Sequence, residues 1–110
     1  MSEHKAKYGA RETLDRAVSE RDFQQQIIEL LKLKHIPFYH TYDSRRSNEG
    51  WPDLFFVIDN KAYAWEVKTE KGKQTMEQGL WLLTLSAAGI NTRLIRPSDW
   101  DYVERTLKEA

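Results

Sequence analysis

Asp53, Glu66 and Lys68 are the residues of this 110-residue chain whose types and spacing could do chemistry. The stretches Asp53-Leu54-Phe55-Phe56-Val57-Ile58 and Lys61-Ala62-Tyr63-Ala64-Trp65-Glu66-Val67-Lys68 are rich in β-branched and aromatic residues. Asp59-Asn60 between them suits a two-residue turn, so the segment reads as one β-hairpin. With that turn Ile58 faces Lys61, and counting outward pairs Val57 with Ala62, Phe55 with Ala64 and Asp53 with Glu66. Directly opposed residues share one face of a sheet with Cβ atoms about 4.5–5.5 Å apart, and Lys68, two positions beyond Glu66, falls on that face too. Two carboxylates and an ammonium then converge, which is the outline of a divalent-metal phosphodiesterase site. Like charges opposed across a hairpin weaken it, so the pair needs a compensating cation or a raised pKa in one member. A four-residue loop preserves this pairing, whereas a three-residue loop shifts it by one and separates the acids.

The acids suit Mg²⁺ or Mn²⁺, hard ions that take carboxylate, carbonyl and water oxygens, and the Val67 carbonyl is a further candidate ligand. Lys68 is placed to orient or deprotonate an attacking water, or to offset charge on a pentacovalent phosphate. The competing reading of Glu66-Val67-Lys68 is an exposed ion pair worth under about 1 kcal/mol. Gly50-Trp51-Pro52-Asp53 opens the first strand: glycine allows an unusual backbone conformation, and proline fixes φ and holds Trp51 extended, so the turn aims Asp53. Glu20 and Gln78 read from the residues alone as helix-start residues, the first favoured by the helix dipole and the second as the third residue of a capping box. Trp65, Trp81 and Trp100 suit a core better than base stacking. His35 and His40 show no metal-ligand spacing.

These residues need elements to hold them. Residues 1 to 18 are polar and weakly periodic, a mobile arm or an ill-capped extra helix. Ser19 with Asp22 resembles a capping box, and Phe23, Ile27, Leu30, Leu31 and the stem of Lys34 recur at helical spacing over about 19 to 34. A short strand follows Pro37 over 38 to 42, then a polar loop to Gly50 and the hairpin. Thr75-Met76-Glu77-Gln78 is a second capping pattern, opening a helix over 75 to 88 that Gly89 ends, with Leu82, Leu85 and Ala88 or Gly89 on one face. Thr92 to Ile95 is a strand, and Pro97 to Asp101 starts a last helix that packs Trp100, Val103 and Leu107 inward. The order is αβββαβα. Because the last strand arrives by a helical crossover, it should join a neighbour in parallel, in a mixed α/β sheet flanked by helices.

Length and composition suit one domain over 19 to 110 with a modest core. The absence of cysteine excludes disulfides, thiolate zinc sites and a cysteine nucleophile. No apolar run is long enough to span a bilayer, and the start lacks the apolar stretch of a signal peptide, so the expectation is a cytoplasmic protein without a membrane partner. A formal net charge of zero argues against coating nucleic acid through bulk electrostatics. Any DNA affinity must come from local patches, and the visible ones, Arg45-Arg46 before the carboxylate strand and Lys68, Lys71 and Lys73 after it, flank the same site.

Taken in order, Glu20, Gly50-Trp51-Pro52-Asp53-Leu54, Glu66-Val67-Lys68 and Gln78-Gly79-Leu80-Trp81 resemble the VRR-NUC (virus-type replication-repair nuclease) family, a branch of the PD-(D/E)XK superfamily, over about 19 to 107. Each motif alone is weak, and the four in register are fairly specific. The resemblance implies a PD-(D/E)XK restriction-endonuclease-like core and metal-dependent phosphodiester cleavage. It implies Asp53 and Glu66 as ligands of Mg²⁺ or Mn²⁺, Lys68 as the catalytic lysine, and Glu20 and Gln78 as members of the site. The loop from Ser44 to Gly50, with Arg45 and Arg46, is similar to the family's phosphate-contacting segment. A chain this short resembles stand-alone members from phages and bacteria, associated with Holliday-junction cleavage as homodimers. The expected partner is therefore branched DNA, with no organic cofactor. Family likeness does not fix the substrate. The alternatives are a general or restriction-type DNA nuclease and a non-catalytic DNA-binding module on the same fold.

Overall fold

A computed structural model describes residues 9–41 and 48–108. The sheet follows from the hairpin. Asp59 and Asn60 take φ of +51° and +67°, the left-handed pair that a two-residue turn between twisted strands requires. That turn joins β2 (Leu54–Ile58) to β3 (Lys61–Val67) in the expected register, Ile58 opposite Lys61, Phe55 opposite Ala64 and Leu54 opposite Trp65. β1 (Phe38–His40) pairs antiparallel with β2, His40 lying opposite Leu54. β4 (Asn91–Ile95) returns through α3 (Met76–Ala87) and pairs parallel with β3, as the crossover demands. The result is a four-stranded mixed sheet of order β1-β2-β3-β4, flanked by helices.

The core lies on one face. Leu54, Phe56, Ile58, Trp65, Val67 and Ile95 are buried there, with Phe56 edge-on to Trp65 at 4.8 Å between ring centroids. Covering them is α2 (Glu20–Leu33), which buries Phe23, Ile27, Ile28 and Leu31. The expected stripe is corrected at its edges: Ile28 is buried, Leu30 is only half-buried, and Lys34 is exposed. Lys34 is the C-cap rather than a helical residue, and His35 at φ +58° turns the chain away before another turn can form. The same face receives α4 (Trp100–Lys108), entered through a 3₁₀ turn at Pro97–Asp99; Val103 and Leu107 are buried and Trp100 meets Phe23 edge-on. The arm contains a helix, α1 (Ala10–Ala17), against the 3₁₀ turn. Gly9 gives it no side-chain cap, which is why its sequence signal is weak.

The opposite face carries Phe55, Val57, Ala62, Ala64 and Glu66, by the strand alternation. α3 packs there against β3 and β4. None of its residues is buried: Leu82 and Leu85 are half-buried, Ala88 and Gly89 exposed. Among the described residues, no helix is long and apolar enough to cross a membrane.

Candidate active site

Asp53 is placed by both strands that flank it. Its carbonyl accepts from the Thr41 amide at 3.0 Å, so its main chain is spent on the β1 side. Continued by one pair, the β2–β3 register sets Asp53 opposite Glu66 without main-chain bonds between them, the pairing that brings side chains closest. Asp53 Oδ2 accepts from the Val67 amide at 2.8 Å, standing in for the ladder bond that ends there. The next residue out is Pro52, whose carbonyl accepts from Thr41 Oγ1 at 3.1 Å and which has no N–H. The Val67 carbonyl therefore receives no ladder donor from Pro52. Gly50 has φ +86°, and a Cβ there would lie 2.5 Å from the Glu77 carbonyl carbon, so the turn needs glycine both for its backbone and for close approach to α3. Trp51 locks the same approach by an edge-on contact with Trp81 at 4.9 Å.

Glu66 is 2 % exposed and the Lys68 side chain 12 %, so the exposed ion pair does not describe them. Glu66 Oε2 accepts from Gln78 Nε2 at 2.7 Å and lies 3.9 Å from Lys68 Nζ. Its Oε1 is buried with no hydrogen-bond partner. Gln78 does two things at once. Its Oε1 accepts from the Thr75 amide at 2.8 Å while the Thr75 hydroxyl accepts from the Gln78 amide at 3.1 Å, completing the capping box of α3, and its Nε2 reaches Glu66. Burial, with the Asp53 carboxylate beside it, pushes Glu66 up to about 9 against the pull of Lys68. Burial also raises Asp53, opposed by the Val67 amide and by Lys68. Both shifts favour the protonated form, so the pair tends to retain a proton between its two carboxyl groups.

Glu20, the first residue of α2, comes to the same end of the sheet; burial raises its pKa, with Lys68 opposing and Asp53 reinforcing. It lines an open groove of about 510 Å³ with Arg21, Gln24, His40, Thr41 and Asp53. His40 Nε2 contacts Gln24 Nε2, and burial lowers the imidazole pKa although Asp53 works to raise it. Gln24 and His40 have no motif to announce them. Gln24 sits one helical turn beyond Glu20, and His40 reaches the groove only through the β1–β2 register. Lys71 and Lys73 are exposed on the loop after β3 and form no ion pair with the two acids. Arg45 and Arg46 lie outside the described residues.

The N-termini of α2 and α3 thus bring Glu20 and Gln78 from opposite faces to the end of the sheet where Asp53, Glu66 and Lys68 stand. Among the described residues, no group of three or more His, Cys, Asp or Glu side chains is close enough to hold a metal ion together. The donor set is instead two adjacent carboxylates and the Val67 carbonyl. Hard oxygen donors of this kind suit Mg²⁺ or Mn²⁺. The arrangement presents carboxyl and carbonyl oxygens on one side and an ammonium on the other. Comparison of the sequence with models of known protein families and with curated proteins gives no match.

Proposed function

We propose that this protein is a Mg²⁺- or Mn²⁺-dependent endodeoxyribonuclease of the PD-(D/E)XK type, built like the VRR-NUC enzymes and acting as a homodimer on branched DNA such as Holliday junctions. The observation that carries the reading is the Asp53–Glu66 pair, in which Glu66 is buried and Asp53 half-buried, with Lys68 beside it. Two acids opposed on a hairpin cost stability, a cost that a bound cation would offset.

Hydrolysis forms one phosphorus–oxygen bond to water and breaks another to a sugar; one proton leaves the water and one reaches the departing oxygen. Asp53, Glu66 and the Val67 carbonyl would hold the cation, which when bound supplies Lewis acidity and neutralises phosphate charge. Lys68, nearly buried and only 3.9 Å from Glu66, is held where it can orient the water and offset charge on the five-coordinate phosphorus. Gln78 fixes the Glu66 rotamer through Oε2 and leaves Oε1 for the ion. Glu20 extends the acidic lining into the groove, and Lys71 and Lys73, with Arg45 and Arg46, would supply phosphate contacts.

Incubation with four-way, flap and linear DNA, with and without Mn²⁺, tests the reading. Metal-dependent incision of the four-way substrate is the expected result. Cleavage of all three alike would favour a general nuclease, and metal-independent binding without incision would favour a non-catalytic module.

A further inference from the structure

The loop from Thr69 to Lys73 leaves β3 immediately after Lys68 and carries two more lysines; its own main chain closes one turn, the Gly72 amide donating to the Thr69 carbonyl at 3.2 Å. A side chain from beyond β4 holds the rest. Arg96, the residue after β4, places Nη1 2.7 Å from the Thr69 carbonyl, 3.1 Å from the Glu70 carbonyl and 2.7 Å from the Gly72 carbonyl. A second tie runs from the Ser98 amide to Glu70 Oε1 at 3.1 Å, and Arg96 is itself fixed where its amide donates to Asp99 Oδ2 at 2.8 Å. The β4 end also accepts the Lys68 amide on the Ile95 carbonyl at 3.0 Å, so one anchor sets both the lysine of the site and the loop beyond it.

Peptide geometry gives this clamp a consequence. In a trans peptide the C=O and the following N–H point in opposite directions, and none of the described peptide bonds is cis. With the carbonyls of Thr69, Glu70 and Gly72 turned onto the guanidinium, the amides of Glu70, Lys71 and Lys73 face away from it. The loop thus turns three carbonyls onto a cation and the amides of Glu70, Lys71 and Lys73 away from it, beside two exposed lysines, while the Gly72 amide is spent within the loop on the Thr69 carbonyl. The guanidinium meets carbonyls rather than a carboxylate, and Lys68, Lys71, Lys73 and Arg96 outnumber the acids Glu70 and Asp99 that stand among them. In a chain of zero net charge, this is a local concentration of positive charge bordering the candidate site.

We propose that the Thr69–Lys73 loop is a preorganised cradle for a DNA backbone phosphate adjoining the scissile one, and that Arg96 is the positioning residue that holds it in shape. This rests on the nuclease reading and deepens it. Arg96 does not touch the substrate; it acts through Lys71, Lys73 and the outward amides.

The test is the salt dependence of binding to a four-way DNA junction by the full chain, with Ca²⁺ replacing Mn²⁺ to hold back cleavage, alongside KM and kcat for cleavage in Mn²⁺. Removing Lys71 and Lys73 together should flatten the slope of log affinity against log salt by about two units. Arg96→Ala should flatten it by about one to two, raising KM more than it lowers kcat, and should add little on the Lys71/Lys73 double-alanine background, because both changes remove the same contacts. Arg96→Lys keeps the charge on a stem one bond shorter and should rescue the slope only in part; it also serves if Arg96→Ala does not fold. An unchanged slope in Arg96→Ala, full additivity with the lysine changes, or complete rescue by lysine would overturn the positioning role while leaving the nuclease reading in place. A wild-type chain with no affinity for DNA would overturn both.

Discussion

α2 and α3 both begin with a hydroxyl residue that caps the helix by accepting an amide hydrogen bond, and both bring a polar side chain to the candidate site, yet they are held by different forces. α2 buries four apolar side chains in the core. α3 buries none, leaves Met76, Leu80 and Leu83 exposed, and is fixed at its N-terminus by the Thr75–Gln78 box, the Gln78–Glu66 bond, the Gly50 approach and the Trp51–Trp81 contact. The helix that stabilises the fold and the helix that orders the acids are thus separate, so mutations should be able to affect one without the other.

The largest separation is expected in the apolar side chains. Leu31→Ala empties a fully buried position in α2 and should cost about 3 kcal/mol in a denaturant titration. Leu83→Ala on α3 should cost under about 0.5 kcal/mol, since its side chain is 69 % exposed. Equal costs would dissolve the distinction.

The next effect is in pH. Glu66 is raised from an ordinary 4.5 to about 9 in the fold, so the folded state prefers the protonated acid. Its contribution to stability is complete below about pH 4.5 and is lost progressively as pH rises towards about 9, and the raised Asp53 and Glu20 act with the same sign. Metal-free protein should therefore lose thermal stability as pH rises through that window, and Mn²⁺ should restore more of it at the alkaline end. Glu66→Gln, which resembles the protonated acid, should flatten the profile. A melting temperature in wild-type protein that rises through the window would contradict the shared-proton picture.

A smaller effect distinguishes the two caps. Ser19→Ala should lower stability by about 1 kcal/mol through the lost bond to the Asp22 amide, with little change in cleavage. Gln78→Ala should cost about 1–2 kcal/mol and also reduce cleavage, because the same amide group holds Glu66. Equal activity in the two variants would reduce Gln78 to a helix-capping residue.

The sequence made legible whatever depended on local chemistry. The hairpin register could be read because a two-residue Asp-Asn turn leaves only one pairing between alternating strands, and α3 could be bounded because Thr75 and Gln78 form its cap. α1 stayed ambiguous because Gly9 offers no capping side chain, and Lys34 was misplaced because its last-turn position follows periodicity while its actual conformation is set by the turn at His35. Glu20 and Gln78 were readable as candidate site members only through resemblance, since each is equally at home as a helix-start residue. His40, Gln24 and Arg96 were not readable: they meet their neighbours across the β1–β2 pair or between the β4 end and a loop, and no spacing along the chain encodes those meetings.

The central claim is that Asp53 and Glu66 form one cation site, with Lys68 beside it and outside the ligand set. It is tested most directly by calorimetric titration of Mn²⁺ into wild type, Asp53→Ala, Glu66→Ala and Lys68→Ala, each checked for retained fold by circular dichroism and for incision of a four-way junction. Both acid variants are expected to keep the fold and lose Mn²⁺ binding and incision together, while Lys68→Ala keeps binding and loses most of its incision. Undiminished Mn²⁺ binding and incision in folded Asp53→Ala and Glu66→Ala would contradict the claim.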